Sequence, residues 1–415
     1  MAAASRDSYH PSLLGGFFTN MRVITLPAIE SYPSVEALLD AVNPAKPVYC
    51  IYPHVYKETA EQFLQDFPGR VLYAIKACSE PAIVEIFVDT GIRHFDCASL
   101  AEIEIVKSIS NETTCYFMVP VRIRGEARIA QSKFGVRHFL IDHESGIEQL
   151  KSEIDLSNTV VFARMAVHHP AATWDLSTKF GAPASDIPGL LTAIAETGAE
   201  PALAFNVGSS VTDPAAYRDS IESAAGILES VPMDIRLVDV GGGYPRSYPD
   251  FEMPPLNEYF DSIRDTSAKL PLADNGEILG EPGRAMAGPG LSAVSEVLQR
   301  KDDKLYLNDG MHGIFWELRY IGHSEFPCRT FRGNKRLDGN LMPFTLFGPT
   351  CDSADVLPSR IQLPDDIRPG DYLEFGRLGA YSLTGRSDFN GCYSDHIVMI
   401  DDPEQFPPGH HRYRN

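Results

Sequence analysis

Nowhere in the 415 residues is there an apolar run of the ~18 residues that a membrane-spanning helix needs. The start, Met1 to Asn20, carries neither a basic segment followed by an apolar core nor an Arg-rich amphipathic pattern, so a cytoplasmic location is expected, with no membrane partner. Positive charge is scarce: 36 Lys and Arg face 56 Asp and Glu, a formal charge of −20. That excludes a broad nucleic-acid footprint, which needs a basic patch to displace counterions. There is no C-x-x-C pair. The seven cysteines (Cys50, Cys78, Cys97, Cys115, Cys328, Cys351 and Cys392) lie far apart and are odd in number, which fits reduced thiols better than a disulfide frame or a zinc site. Most are expected to be small core residues, and no metal is expected.

What is present is an ordinary globular composition, 44% hydrophobic and 22% charged, which excludes disorder over most of the chain. The length accommodates a barrel of about 250 residues with a smaller partner. From about residue 70 to 280, short β-branched or aromatic runs alternate with helical patterns. The strand-like runs are Val71–Ile75, His94–Cys97, Cys115–Val119, His138–Ile141, Val160–Met165, Ala202–Val207, Ile235–Val240 and Glu277–Glu281. Between them lie helical stretches such as Pro81–Thr90, Ala101–Ile109, Gly146–Ile154, Ile187–Thr197 and Ala215–Leu228. In the first of these, Ile83, Val84, Ile86 and Phe87 form one apolar stripe, Ser79 is the expected cap and Gly91 the expected stop. Such units in series, with strands too apolar to be half-exposed, predict a closed parallel (β/α)8 barrel rather than an open doubly wound sheet.

After about residue 290 the texture changes to strand-like pieces broken by Gly, Pro and Asn, such as Leu305–Leu307, Met342–Phe347 and Tyr372–Phe375. This predicts a second, all-β domain. Another β-like piece, Arg22–Leu26, lets the N-terminal segment join it, so the expected division is 1–48 for that segment, 49–288 for the barrel and 289–415 for the β domain. The tail, Pro403 to Asn415, is polar and expected to be loose.

Polar residues at the C-terminal ends of barrel strands need explaining, because barrel active sites sit there. The first strand runs Y-A-I-K and ends on Lys76, either a lysine that snorkels or pairs with a carboxylate, or one that forms an imine with a carbonyl, its amine pKa lowered by burial and a nearby cation. The seventh strand leads into Gly241, Gly242 and Gly243, whose bare backbone lets N–H groups approach an anion such as phosphate, although Gly-rich turns often serve geometry alone. The spacings of the nucleotide-binding loops are absent. The eighth strand ends in G-E-P-G-R, with Glu281 and Arg284 around a tight turn; alone, that pair reads as a salt bridge. Together, a lysine, a phosphate loop, an arginine and a carboxylate are the parts that pyridoxal phosphate requires.

The ordered segments Y-A-I-K (73–76), F-D-C-A-S (95–99), S-T-K-F-G (177–181), V-G-S-S (207–210), V-D-V-G-G-G-Y-P (238–245), G-E-P-G-R (280–284), N-D-G (308–310), F-G-P-T-C-D-S-A-D (347–355), G-A-Y (379–381) and F-N-G (389–391) resemble the ornithine/diaminopimelate decarboxylase family of pyridoxal-phosphate enzymes over nearly the whole length. F-D-C-A-S and C-D-S are closest to the ornithine decarboxylase branch. The resemblance implies a pyridoxal-phosphate-binding (β/α)8 barrel with an all-β second domain, acting as an amino-acid decarboxylase. It implies that Lys76 carries the cofactor and Glu281 faces its pyridine nitrogen. Ser209, Gly241, Gly242, Gly243, Gly283, Arg284 and Tyr381 would hold the phosphate, with Asp96 and Arg164 near Lys76. It further implies a homodimer with shared sites, in which Cys351 returns a proton to the carbanion, Asp352 meets the far end of the substrate and Phe389 lines the same space.

Two departures stand out. Asn206 occupies the position where the family usually has a histidine stacked on the cofactor ring, so altered affinity or selectivity is expected. After N-D-G, Tyr320 is followed by Ile321 where ornithine decarboxylases place an aspartate for the substrate's terminal ammonium. An ammonium buried without a partner costs several kcal/mol, which disfavours a plain diamino acid. His312, Arg319 and His323 lie in the same segment and suit a carboxylate or a less basic group; the alternative is that Glu317 or Glu325 replaces the missing acid. The expected substrate is ornithine or a substituted derivative. The rivals are a decarboxylation-coupled or racemising enzyme, and a non-catalytic, partner-binding homologue.

Overall fold

A computed structural model describes residues 29–247, 252–321 and 326–402. Eight parallel strands close into a barrel in chain order: Arg70–Ala74, His94–Cys97, Thr114–Phe117, His138–Ile141, Val160–Met165, Glu200–Phe205, Ile235–Asp239 and Leu272–Gly280. The last strand meets the first with Leu279 opposite Arg70 and Gly280 opposite Val71. Each strand alternates: Leu72, Tyr116, Leu140, Phe162, Ala204, Leu237 and Leu279 fill the interior, while Tyr73, Phe95, Phe117 and Phe139 pack outward under the helices. The eighth strand starts earlier than expected, at Leu272, and ends one residue before Glu281.

The helix Pro81–Thr90 has the expected bounds and buries Ile83, Val84, Ile86 and Phe87. Gly91 ends it in left-handed backbone, φ 117°, with its N–H on the Phe87 and Val88 carbonyls. Ser79 is not its cap. Glu80 holds that position without a side-chain bond, and Pro81 starts the helix because its fixed φ is already helical and its missing N–H would have had no partner there. Three further helices, Pro53–Asp66, Glu126–Phe134 and Leu256–Ser267, complete the outer ring. Glu126–Phe134 buries only Ala127 and Ala130, so small residues leave little apolar periodicity to read.

At the N-terminal end of the barrel, Arg70 donates to the Tyr116 hydroxyl at 2.8 Å and pairs with Glu277, while Tyr116 stacks on His138 with ring centroids 4.0 Å apart. This polar layer closes the bottom of the barrel and leaves chemistry to the opposite end.

The second unit is a ten-stranded sheet organised by Leu291–Lys301, which pairs with Val48–Ile51, Lys304–Leu307 and Asp371–Phe375. Ser31–Tyr32 and Val48–Ile51 both run parallel to Ile397–Ile400, so the N-terminal segment does join this sheet, and it does so as far as Ile51, past the expected division at residue 48. The unit is not wholly β: the helix Val35–Val42, capped by Ser34, packs Val35, Leu38 and Leu39 against Val294, Phe331 and Val398. Arg22–Leu26 and Pro403–Asn415 lie outside the described residues. Inside the sheet, Glu374 is fully buried and accepts from Tyr52 at 2.6 Å, from Ser292 at 2.7 Å and from Arg329 Nε at 2.7 Å.

Candidate active site

Lys76 sits in the one-turn helix Ile75–Ala77 directly after the first barrel strand. Its Nζ donates to Asp96 Oδ2 at 2.6 Å, a contact made possible because Ala74 and Asp96 are register partners on adjacent strands. Burial disfavours the ammonium, but the charges of Asp96 and Glu281 outweigh it and hold the Lys76 pKa above its ordinary value. The expected lowering by a neighbouring cation is therefore corrected, because the groups within reach are carboxylates.

Lys76 opens into a cavity of about 350 Å³ at the C-terminal end of the barrel. The cavity brings together Arg164, Asn206, Ser209, Gly242, Gly243, Glu281, Gly283, Arg284 and Tyr381, residues spread over more than 200 positions of sequence. Asp96 stands behind Lys76, and Gly241 underlies the loop; neither is part of the wall. The glycines are required by space: a Cβ on Gly242 would lie 2.7 Å from the Glu281 carbonyl, and one on Gly243, at φ 108°, would lie 2.8 Å from the Gly208 carbonyl. Asn206 accepts from the Gly208 N–H at 3.0 Å, so its side chain is anchored to its own loop and packs against Gly241.

At one end of the cavity, the Arg284 guanidinium lies 5.5 Å from the Trp174 ring and 5.0 Å from the Tyr381 ring and is ion-paired with Glu317. Tyr381 is in left-handed backbone, φ 60°, a strained state for a side chain of this size, and its N–H donates to the Ala77 carbonyl at 2.6 Å. Glu317 is thus committed to Arg284 and does not stand in for the missing acid of the substrate end. Glu325 and His323 lie outside the described residues, as does the side chain of Ile321.

Three buried carboxyls meet at the other end. Burial, with the charges of Asp239 and Asp96, pushes Glu281 well above the usual carboxylate range. Burial and the charge of Asp96 push Asp239 up to about 7, although it accepts from the Gly241 N–H. Asp239 lines this cavity and Trp174 covers Arg284, and the sequence reading missed both; it named Glu317 only as a stand-in for the missing distal acid, not as the partner of Arg284. An acid inside the apolar run L-V-D-V was the available signal for Asp239, since a buried carboxylate is costly without a task. Nothing local marked Trp174.

Cys351, Asp352, His312, Arg319, Tyr320 and Phe389 do not line the cavity. Four of them form a second cluster: His312 Nε2 lies 2.8 Å from Asp352 Oδ2 and 3.4 Å from Arg319 Nη2, and its ring lies 4.6 Å from that of Phe389. Cys351 is exposed beside it, its N–H donating to Asn390 Oδ1 at 2.9 Å. Tyr320, also exposed, leans on Trp316 instead, with centroids 4.9 Å apart. Cys78 and Cys97 are buried core residues.

Among the described residues there is no cluster of His, Cys, Asp and Glu able to hold a metal, and no helix long and apolar enough to cross a membrane. The cavity does fit a phosphorylated, ring-shaped cofactor. It pairs a reachable lysine with a glycine cradle, and Arg164 Nε and Asp96 Oδ1 are buried polar atoms that find no hydrogen-bond partner among the described residues.

Residues 54–288 match the family described as pyridoxal-dependent decarboxylase, pyridoxal binding domain. The chain is 30% identical over 354 residues to the lysine/ornithine decarboxylase of Selenomonas ruminantium, covering 80% of this chain and 84% of that one. It is also 30% identical over 361 residues to antizyme inhibitor 2 of Xenopus laevis, covering 80% and 75%. Among solved structures, the arginine decarboxylase of Paramecium bursaria Chlorella virus bound to agmatine superposes with a TM-score of 0.79 at 25% identity, covering 88% of this chain and 99% of that one. With the barrel, the lysine and the glycine-lined cavity already in place, the chain belongs to the pyridoxal-dependent decarboxylase family.

Proposed function

We propose that this protein removes the α-carboxylate of an L-amino acid, on ornithine or on a substituted or extended ornithine- or diaminobutyrate-type derivative, in polyamine or specialised-metabolite (alkaloid) biosynthesis. What bound pyridoxal phosphate supplies there is an electron sink for the pair of electrons that departing CO2 leaves behind. Lys76 anchors the cofactor through its amine, and Asp96 pairs with that amine and favours its charged form. Glu281 holds a proton at the pyridine nitrogen, with Asp239 as its buried neighbour. Gly241, Gly242, Gly243, Ser209, Arg284 and Tyr381 orient the phosphate, and Arg164 and Asn206 border the ring.

Cys351 is the group we assign to return a proton to the α-carbon. It lies outside the Lys76 cavity of its own chain, and an exposed cluster holding a thiol, a carboxylate and aromatic rings supports a homodimer in which each chain completes the other's site.

The carrying observation for the substrate is the state of Asp352. Its Oδ2 is paired with His312, and its Oδ1 accepts from the Ala354 N–H at 2.9 Å, so a terminal ammonium would have to share this carboxylate with His312. With Arg319 adjacent and Ile321 in place of an acid, this end suits a distal group less basic than a free ammonium. The test is a competition assay in which purified protein with pyridoxal phosphate is offered an equimolar pool of ornithine, lysine, arginine, diaminopimelate and N-substituted or distally carboxylated diamino acids. Mass spectrometry of the CO2-loss products should show the substituted substrates consumed ahead of ornithine; dominant putrescine would reject that reading. The likeness to an antizyme inhibitor raises a non-catalytic role, but the retention of Lys76, Glu281, the triple glycine and Cys351 favours the catalyst.

A further inference from the structure

Arg284 and Glu317 come from different units of the fold, the end of the barrel and the segment after N-D-G, and each side chain is only 7% exposed. Arg284 lines the cavity that also presents Ser209, Gly242 and Gly243, and Glu317 is paired to it without itself lining that cavity. The cation needs a counter-charge, because its faces are covered by the rings of Trp174 and Tyr381. A cofactor phosphate brings up to two further negative charges to the same guanidinium, and a carboxylate already seated there opposes them at short range in a low-dielectric setting.

We propose that Glu317 is a resident counter-ion of the phosphate site, standing in for the phosphate on Arg284 when cofactor is absent and weakening phosphate binding when it is present. The proposal rests on the assignment of this cavity to pyridoxal phosphate. Entry of the phosphate requires that the Glu317 carboxylate either give up part of Arg284 or take up a proton. Burial already raises the Glu317 pKa against the opposing pull of Arg284, and among the described residues Arg284 is the charged group that acts on it. The sign follows: a protonated Glu317 no longer competes, so phosphate affinity is higher at low pH and falls as pH rises, and a neutral isostere removes the penalty at high pH.

The experiment uses apoenzyme and a binding readout rather than turnover. Wild type, Glu317→Gln and Glu317→Asp are titrated with pyridoxal phosphate and with pyridoxal, following the bound chromophore's absorbance, at about pH 6 and about pH 8.5. Glu317→Gln is expected to bind pyridoxal phosphate about tenfold tighter than wild type at the higher pH, with a smaller gap at the lower pH. Pyridoxal affinity should be unchanged in Glu317→Gln, and Glu317→Asp, which keeps the charge, should show no such gain. Equal or weaker binding of the phosphorylated form by Glu317→Gln overturns the proposal, as does an equal gain for pyridoxal. A failure of wild type to take up pyridoxal phosphate at all would instead reject the cofactor assignment. Should the Gln variant not fold, sulfate, whose charge is constant over this range, serves on wild-type apoenzyme: its stabilisation in thermal melts should be larger at the lower pH, and an equal shift at both overturns the idea.

Discussion

The backbone N–H of Tyr381 donates to the carbonyl of Ala77 at 2.6 Å, which fastens a residue of the sheet unit to the turn that carries Lys76. The same residue covers Arg284 with its ring. The turn that carries Lys76 and the Arg284 end of the cavity are therefore mechanically joined across the two units of the fold.

Truncating that ring should loosen the phosphate end. Cation–π contacts of this type are worth about 0.5–2 kcal/mol, so Tyr381→Ala should weaken pyridoxal phosphate binding by about tenfold. Equilibrium titration of apoenzyme by absorbance measures it; an unchanged affinity would show that the ring merely fills space.

Lys76 must shed a proton before its amine can attack a carbonyl, and its raised pKa means that the neutral fraction grows as pH rises. Loading of apoenzyme with cofactor should accelerate steadily with pH. Asp96→Asn removes the charge that favours the ammonium and should speed loading by about tenfold near neutral pH, read by stopped-flow absorbance. Slower loading in that variant would mean that Asp96 orients the amine more than it raises its pKa.

Glu374 holds Arg329, Tyr52 and Ser292 inside the sheet. Glu374→Ala removes the main counter-charge of the largely buried Arg329 and should lower unfolding stability by about 3–5 kcal/mol. Chemical denaturation at fixed protein concentration gives the value, and a loss below about 1 kcal/mol would contradict this role.

At the bottom of the barrel, burial and the charge of Arg70 lower His138 to about 3 and His94 to about 4. In the unfolded chain both titrate near about 6.5. Between those limits the unfolded state binds more protons, so the stability these neutral rings contribute is complete above about pH 6.5 and declines as pH falls. Replacing His138 with Gln should flatten the acid side of the melting-temperature profile.

Two inactive variants, Lys76→Ala and Cys351→Ala, test the shared site. If each chain supplies Cys351 to the other, mixing them after dissociation should restore about a quarter of wild-type activity, since half the random dimers carry one intact site of two. No recovery in a mixture shown to exchange subunits would place both residues in one chain's site.

Local pattern carried much of the architecture. All eight barrel strands were legible because each is a short apolar run bounded by turn residues, and Pro81–Thr90 was legible because its stripe repeats at helical spacing. Glu126–Phe134 was not singled out, since its buried face is built from alanines. The site residues at strand ends were readable for a related reason: a lysine, a glycine run or an acid at the end of a buried strand conflicts with local composition and so draws notice. Ser79 misled because a capping side chain and a Pro-initiated first turn look alike in sequence.

What the sequence by itself determined is thus the set of strand–helix units, the cofactor parts and the segments of family resemblance, all properties of neighbouring residues. Only the tertiary structure decided which partner each charged side chain took. Glu317 is on Arg284, His312 is on Asp352 and Asp96 is on Lys76. The physical reason is that a buried ion chooses among groups brought near it by packing, from any distance along the chain, and that choice has no local signature.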